Sequence, residues 1–369
     1  MNTAILNRLK NHRGLPCISV IVPVPKTLPE RRPLDLQLDN AFSKAKDLVF
    51  HKYGKDLATE LINKLGTLFK NTENPYNSEG IGFFVSSEIS LIVKFPFPVS
   101  EKIIVGNSFE IRDVLYMTEM LLDYYVLLIN ENTLKLFKGN GKNLEEIKDE
   151  NFPAYFVDDH EYARTSLGSS NGYSLKSTEK DKSIVKEQRL MANLKQTGNQ
   201  LSKYYLDHIP FIISGGSKDL GYFKKSTALQ HNLVGEIQGN YIHESIQKLG
   251  ELSFEKIKAY LKEEENKALE KLEEALGKKL AVTGIRGVWM AAKEGKGLLL
   301  LVEKDFASPG FINPVDSKLY AHPVQQKHEI ITDIVDDIME LVLEKKGKVI
   351  LVENGKLDKY ERIALIARY

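Results

Sequence analysis

The sequence predicts a mixed α/β protein in three domains, and three observations carry that prediction. β-branched runs such as CISVIVPV alternate with segments whose apolar residues recur at three- and four-residue steps. A second set of paired strands opens at Asp123, and a third alternation of helix and strand fills residues 277–369. The expected boundaries are 1–122, 123–276 and 277–369, an ordinary division for a chain of 369 residues.

In the first domain, CISVIVPV (17–24) is a strand ended by the proline-laden PKTLPERRP. From Leu34 to about Tyr53, Leu36, Leu38, Ala41, Phe42, Ala45, Leu48 and Val49 form a helical stripe. A second helix is expected over 56–70, and TENPYNSEG is turn chemistry. GIGFFVS and ISLIVKF then pair as strands, closed by Pro96 and Pro98.

In the middle domain, DYYVLLIN, the turn ENT and LKLFKG make a hairpin. A long polar loop follows over 160–178, containing ARTSLGSSNGYSLKST. Loops of such length without structure of their own are uncommon inside compact domains, and are usually functional or disordered. Thr178-x-x-Asp181 fits a capping box that opens a helix lined by Ile184, Met191, Leu194, Leu201 and Tyr205. PFIISG (210–215) is a short buried strand. Helix is expected from Ile242, with a break at Gly250, continuing through Phe254, Ile257, Leu261, Leu269 and Leu272. Its charged face, KEEENKALEKLEEA, reads as a solvated helix joining two domains.

LGKK (276–279) marks the last boundary. Beyond it the order is helix GIRGVWMAAKEG, strand GLLLLVEKD, helix HEIITDIVDDIMELVLEKKG, then strands KVILVEN and RIALIARY. The terminal strand, with Ile363, Leu365 and Ala367 in alternation, is expected to lie buried in the last sheet.

Composition narrows the function classes. Lys+Arg 51 against Asp+Glu 50 gives a net charge of +1, which argues against indiscriminate electrostatic binding to nucleic acid or anionic membrane. The single cysteine, Cys17, rules out an intramolecular disulfide or a Cys-cluster metal site, and reads as a small apolar strand residue. No stretch approaches the ~20 apolar residues of a membrane span, and MNTAILNRLKNHRGLP lacks a signal-type apolar run. A cytoplasmic protein without membrane contact, cofactor or metal is expected.

The terminal pattern GIRGVWMAAKEGKGLLLLVEKD, followed by DDIMELVLEKKGKVILVEN and RIALIARY, resembles the third domain of the archaeo-eukaryotic peptide-chain release factor superfamily, which includes Pelota. DYYVLLINENTLKLFKG with its long loop resembles that superfamily's RNase H-like middle domain. The whole chain, including PCISVIVPV and the segment around FEIRDVL, is similar to the bacterial archaeo-eukaryotic release factor family. The fold implied is an N-terminal α/β domain, an RNase H-like middle domain and a C-terminal α/β sandwich.

In release factors the corresponding loop carries Gly-Gly-Gln into the peptidyl-transferase centre. There glycines allow close approach to RNA, and the glutamine helps to place the attacking water. Here the loop reads SLGSSNGYS, and the chain's one Gly-Gly, Gly215-Gly216, is followed by Ser217. Peptide release is therefore not expected, and no residue is assigned a catalytic role. In kink-turn RNA-binding relatives of the last domain, Asn-Glu follows the helix-opening glycine. Here Gly284 is followed by Ile285, Arg286 and Gly287. No counterpart of the codon-reading motifs is found.

What the resemblance implies is a non-enzymatic ribosome-binding translation factor, acting in ribosome hibernation, protection or rescue. Its partners would be large-subunit rRNA at the A site and an elongation-factor-type GTPase. The expected contact residues are Arg164, Ser169, Ser170, Asn171, Gly172, Tyr173 and Lys176, with basic groups for phosphates and an aromatic for base faces.

Other motifs favour blander readings. Asp158-Asp159-His160-Glu161 reads as a solvated acidic turn, because adjacent loop residues rarely converge on one ion. His322 and His328 read as surface or capping residues, and Trp289 as core. Ser166, Ser169 and Ser170 have no evident His/Asp partners. Two alternatives stay open. A metal-dependent nuclease or hydrolase would need Asp123 and Asp158/Asp159 to converge, and a protein-interaction scaffold would need no ribosome.

Overall fold

The computed structural model describes residues 2–14, 16–24, 32–72, 78–130, 133–155, 191–196, 200–201, 204, 209–226, 232–241, 244–313, 319–320 and 329–369. Its contacts divide it into two compact units, Met1–Glu119 with Glu265–Tyr369, and Met120–Glu264.

In the first unit, helix α1 (Asn2–Lys10) precedes strand β1 (Cys17–Pro23) and helices α2 (Arg32–Tyr53) and α3 (Lys55–Lys70). Strands β2 (Gly80–Val85), β3 (Ser90–Phe95) and β4 (Lys102–Gly106) complete an antiparallel sheet in the order β3-β2-β1-β4. Side chains alternate across a strand, so Ile18, Val20 and Val22 of β1 share one face. There they meet Ala41, Ala45 and Val49 of α2 and Leu61 and Leu65 of α3. The helical stripes and the β2–β3 pairing are those expected from the sequence; β4 was not read from it. Helix α4 (Arg112–Met120) closes this segment.

The second unit contains β5 (Asp123–Asn130), β6 (Thr133–Asn140), β7 (Asn143–Glu146), β8 (Ala154–Tyr155), β9 (Phe211–Gly215), α5 (Ser217–Ser226) and β10 (Leu233–Gln238). Its sheet runs β10-β9-β5-β6-β7, with β8 also paired to β6. Strands β5, β6 and β7 form an antiparallel meander, while β9 lies parallel to both β5 and β10. The unit is thus built on one mixed sheet, antiparallel on one side of β5 and parallel on the other. Leu127, Ile129, Leu136 and Ile213 face Leu220 and Phe223 of α5 and the helical residues Leu194 and Leu201. On the opposite face, Tyr124, Val126 and Ile212 pack against Leu249, Phe254 and Ile257.

Two positions in this sheet are sterically specific. A Cβ at Gly139 would lie 2.3 Å from the Tyr124 ring, so only glycine leaves room for the tyrosine opposite it in the ladder. Ser214, fully buried in β9, holds a hydroxyl without a hydrogen-bond partner. A buried hydroxyl left unmade costs more than its removal. Ser214→Ala is therefore expected to leave stability unchanged or raise it by about 1 kcal/mol, read as the midpoint shift in urea unfolding.

Helix α6 (Ile246–Gly277) runs without a break through Gly250, against the sequence expectation. A Cβ there would sit 2.1 Å from the Lys142 carbonyl oxygen, so this glycine permits a close backbone approach and does not end a helix. The same helix is not merely solvated. Phe254 and Ile257 serve the second unit's core, and Ala268, Leu272 and Ala275 serve the first unit's.

The first unit resumes with β11 (Ala281–Thr283), α7 (Ile285–Lys293), β12 (Gly297–Glu303), β13 (Gly310–Ile312), β14 (Leu319–Tyr320) and β15 (Glu329–Ile331). It ends with α8 (Ile334–Glu344), β16 (Lys348–Val352) and β17 (Ile363–Ala367). The larger sheet is β11-β17-β12-β16, with β12 parallel to β16 and β17 antiparallel to both its neighbours. Ala364, Ile366 and Leu301 face the α6 residues. Leu365 lies on the other face, where it and Val342 of α8 flank Gly297. The expected helix from His328 begins only at Ile334. Glu329–Ile331 instead pairs with Gly310–Ile312, and Asp333 caps α8 by accepting from the Val335 N–H at 3.1 Å. Among the described residues no helix is long and apolar enough to cross a membrane.

Candidate functional site

Arg164, Ser169, Ser170, Asn171, Gly172, Tyr173 and Lys176 lie outside the described residues, as do Asp158, Asp159, His160, Glu161, His322 and His328. The other singled-out residues have defined surroundings. Asp123 starts β5, where its Oδ1 accepts from Asn140 Nδ2 at 2.8 Å and its Oδ2 pairs with Lys138 Nζ at 3.0 Å. Burial would raise this carboxyl, but the bonds from Asn140 and Lys138 outweigh it and hold it below its ordinary value. Its oxygens are thus committed to structural partners.

Cys17 is fully buried, and its Sγ–H donates to the Gly14 carbonyl at 3.1 Å. Burial pushes the thiol up to about 11, which keeps it protonated and unreactive. Trp289 is buried, as expected of a core residue.

A concentration of charge sits where α4 and α8 begin, within the first unit. The Arg112 guanidinium pairs with Asp333, with both side chains almost wholly buried. The Asp336 carboxyl accepts from the backbone N–H groups of Ile111 at 3.1 Å and Arg112 at 3.0 Å, satisfying donors at the start of α4. Lys102 Nζ donates to Asp113 at 2.8 Å and reaches Glu110 at 3.4 Å. Arg13 Nη1 donates to Glu340 Oε2 at 2.7 Å. Burial raises Asp336 well above its ordinary range, reinforced by Glu110 and Glu340 and opposed by Arg112. Burial likewise raises Glu110, with Lys102 and Arg112 pulling the other way. Glu340 is pushed up to about 7 by burial despite the nearby Arg13.

Beside this network lies a cleft of about 270 Å³, lined among others by Arg13, Lys52, Phe109, Trp289, Lys293 and Glu340. Its groups are suited to holding charge. Among the described residues no three His, Cys, Asp or Glu side chains are grouped to hold a metal ion. Sequence reasoning missed the network, although a signal existed. Asp336 and Glu340 stand four apart in IVDDIMEL, on a helix that is otherwise strongly apolar, and FEIRDVL likewise embeds charges among apolar residues.

Residues 123–296 match the family described as bacterial archaeo-eukaryotic release factor family 3. Among solved structures, an archaeal translation termination factor, aRF1, is 15% identical; the alignment covers 100% of this chain and 97% of that chain at a TM-score of 0.25. Pelota of Archaeoglobus fulgidus is 12% identical, covering 79% of this chain and 84% of that one at a TM-score of 0.35. Dom34 of S. cerevisiae, a translation termination-like factor that interacts with Hbs1, is 12% identical, covering 79% and 73% at a TM-score of 0.39. No curated protein matches the sequence.

Proposed function

We propose that this protein is a non-enzymatic ribosome-binding translation factor that acts in ribosome hibernation, protection or rescue at the A site. The observation that carries the reading is the release-factor family match over 123–296, the stretch that contains the polar loop. In this reading the chain works as three domains, 1–122, 123–276 and 277–369. The loop residues Arg164, Ser169, Ser170, Asn171, Gly172, Tyr173 and Lys176 meet large-subunit rRNA, and the last domain docks an elongation-factor-type GTPase. Small residues let the backbone approach RNA, while Arg164 and Lys176 supply charge for phosphates and Tyr173 a face for stacking. Without Gly-Gly-Gln the loop occupies the site and does not hydrolyse the peptidyl ester.

Ribosome co-sedimentation tests the reading. Arg164→Ala, Tyr173→Ala and Lys176→Ala together are expected to leave thermal unfolding within about 0.5 kcal/mol of the parent. Ribosome affinity should fall about tenfold or more, with a shallower salt dependence because fewer counterions are released. Wild-type affinity and salt slope in the triple variant would move the contact off this loop. Failure of the parent protein to sediment with ribosomes would overturn the function itself.

A further inference from the structure

We propose that the end of the last sheet where α7 and α8 finish is a second RNA contact, which grips the phosphate backbone of a duplex. That the nucleic acid is RNA rests on the ribosome-binding function proposed above; the surface itself rests on where positive charge collects. Lys293 ends α7, Lys296 precedes β12, Lys345 and Lys346 follow α8, Lys348 opens β16 and Arg368 follows β17. Bonds to main-chain carbonyls tie these segments together. Lys345 Nζ donates to the Lys293 carbonyl at 2.8 Å, and Arg368 Nε to the Gly297 carbonyl at 3.1 Å. Arg368 Nη2 donates to the Lys345 carbonyl at 2.5 Å, and its backbone N–H to the Lys296 carbonyl at 2.9 Å. Lys293, Lys345, Lys346, Lys348 and Arg368 are all exposed there.

Little of this charge is neutralised. Lys296 pairs with Glu294 at 2.6 Å, the one ion pair these six side chains form among the described residues. Lys345 and Arg368 give their protons to carbonyls, which leaves their charge standing. Glu344 faces Arg13 at 3.7 Å, and Glu119, the carboxyl that feels Lys348, accepts from the Leu351 N–H at 3.4 Å. Lysines favour helix C-termini, which accounts for Lys293 and Lys345 but not for Lys348 and Arg368. Nor does it account for Lys346, which takes a φ of 62° at a left-handed position where glycine is usual. Protein interfaces are depleted of lysine, whereas nucleic-acid interfaces are strongly cationic, so the partner that fits is a phosphate backbone. The segments 293–299, 345–348 and 367–368 contain no Asn or Gln to read a base edge. Binding should therefore follow shape and charge, not sequence.

The test titrates the full chain into a labelled RNA duplex of about 20 base pairs and follows anisotropy over a range of salt. Lys293→Gln, Lys346→Gln and Lys348→Gln together are expected to weaken binding about tenfold or more and to flatten the log–log salt slope by about three. Lys271→Gln, Lys356→Gln and Lys359→Gln remove the same charge elsewhere in the unit and should change neither. Lys346→Gly alone should raise stability in urea, because glycine suits that backbone, yet weaken the duplex about twofold or more. That opposition of signs keeps the test open if the triple variant does not fold. No binding by the parent, unchanged affinity in the folded triple variant, or an equal loss in the control would each overturn the proposal. Polyglutamate bound more tightly than the duplex would overturn it too, and would assign the surface to an acidic protein. Ribosome sedimentation is read separately: its failure with duplex binding intact sinks the ribosomal role alone, and the reverse result sinks this surface alone.

Discussion

Removing residues 360–369 should unfold the sheet that contains β17, not trim a tail. The strand lies inside the sheet, antiparallel to β11 on one side and β12 on the other, so its loss strips ladder bonds from both. Ile363, Leu365 and Ile366 are buried, each contributing about 1.5–3 kcal/mol by apolar burial. Arg362 also leaves, and its Nε donates to Glu303 at 2.7 Å. The Glu303 side chain is 1% exposed, so it would keep a buried charge with a main partner gone. The apolar loss alone is on the order of 5–9 kcal/mol, against a typical total stability of about 5–15 kcal/mol. The check is the cooperative thermal transition together with Trp289 emission, which should shift to that of an exposed indole at room temperature. Unchanged unfolding would show that β17 does not hold this sheet.

Gly250→Ala should destabilise the second unit by about 2 kcal/mol or more, the reverse of what helix propensity predicts. In an open helical position the same change is favourable by about 0.5–1 kcal/mol, since glycine loses more backbone freedom on folding. At Gly250 the added methyl meets the Lys142 carbonyl oxygen at 2.1 Å and its carbon at 3.2 Å, and backbone cannot rotate out of the way. Gly221, within α5, is the internal control because nothing lies within 4 Å of its added Cβ. Gly221→Ala is therefore expected to stabilise. Urea unfolding of the two variants should move in opposite directions, and a shift of the same sign in both would refute the close-approach account.

This pair also shows where the fold was legible in the sequence. The strands at Cys17–Pro23 and Gly297–Glu303 and the helices over 32–53 and 55–70 announce themselves by local periodicity, which depends only on which face is buried. Gly250 does not, because its role is set by a carbonyl more than a hundred residues earlier in the chain. Likewise HEIITD reads as a helix start, and it takes the partner strand Gly310–Ile312 to make its middle extended. The strand Leu233–Gln238 was missed where its register slips between Leu233 and Gly235, a bulge that breaks the period of two. The site was legible to different degrees. The loop's chemistry can be read from composition, whereas the charge network at Arg112, Asp333 and Asp336 joins residues more than two hundred positions apart. No local pattern encodes such a meeting.

The unit built from Met1–Glu119 and Glu265–Tyr369 has a consequence for the order of events during synthesis. Chains emerge from their N-termini at about 5–20 residues per second, and domains generally fold as units. The segment 120–264 can close on itself while the first 119 residues still await their counterpart. During that interval Arg112 and the donors at the start of α4 have neither Asp333 nor Asp336 to meet. Closing so distant a contact is entropically slow, which makes this step the expected late event in maturation. The nascent protein would therefore pass through a stage in which the sheet of residues 17–106 and the middle segment are built, while the start of α4 still lacks its distant partners.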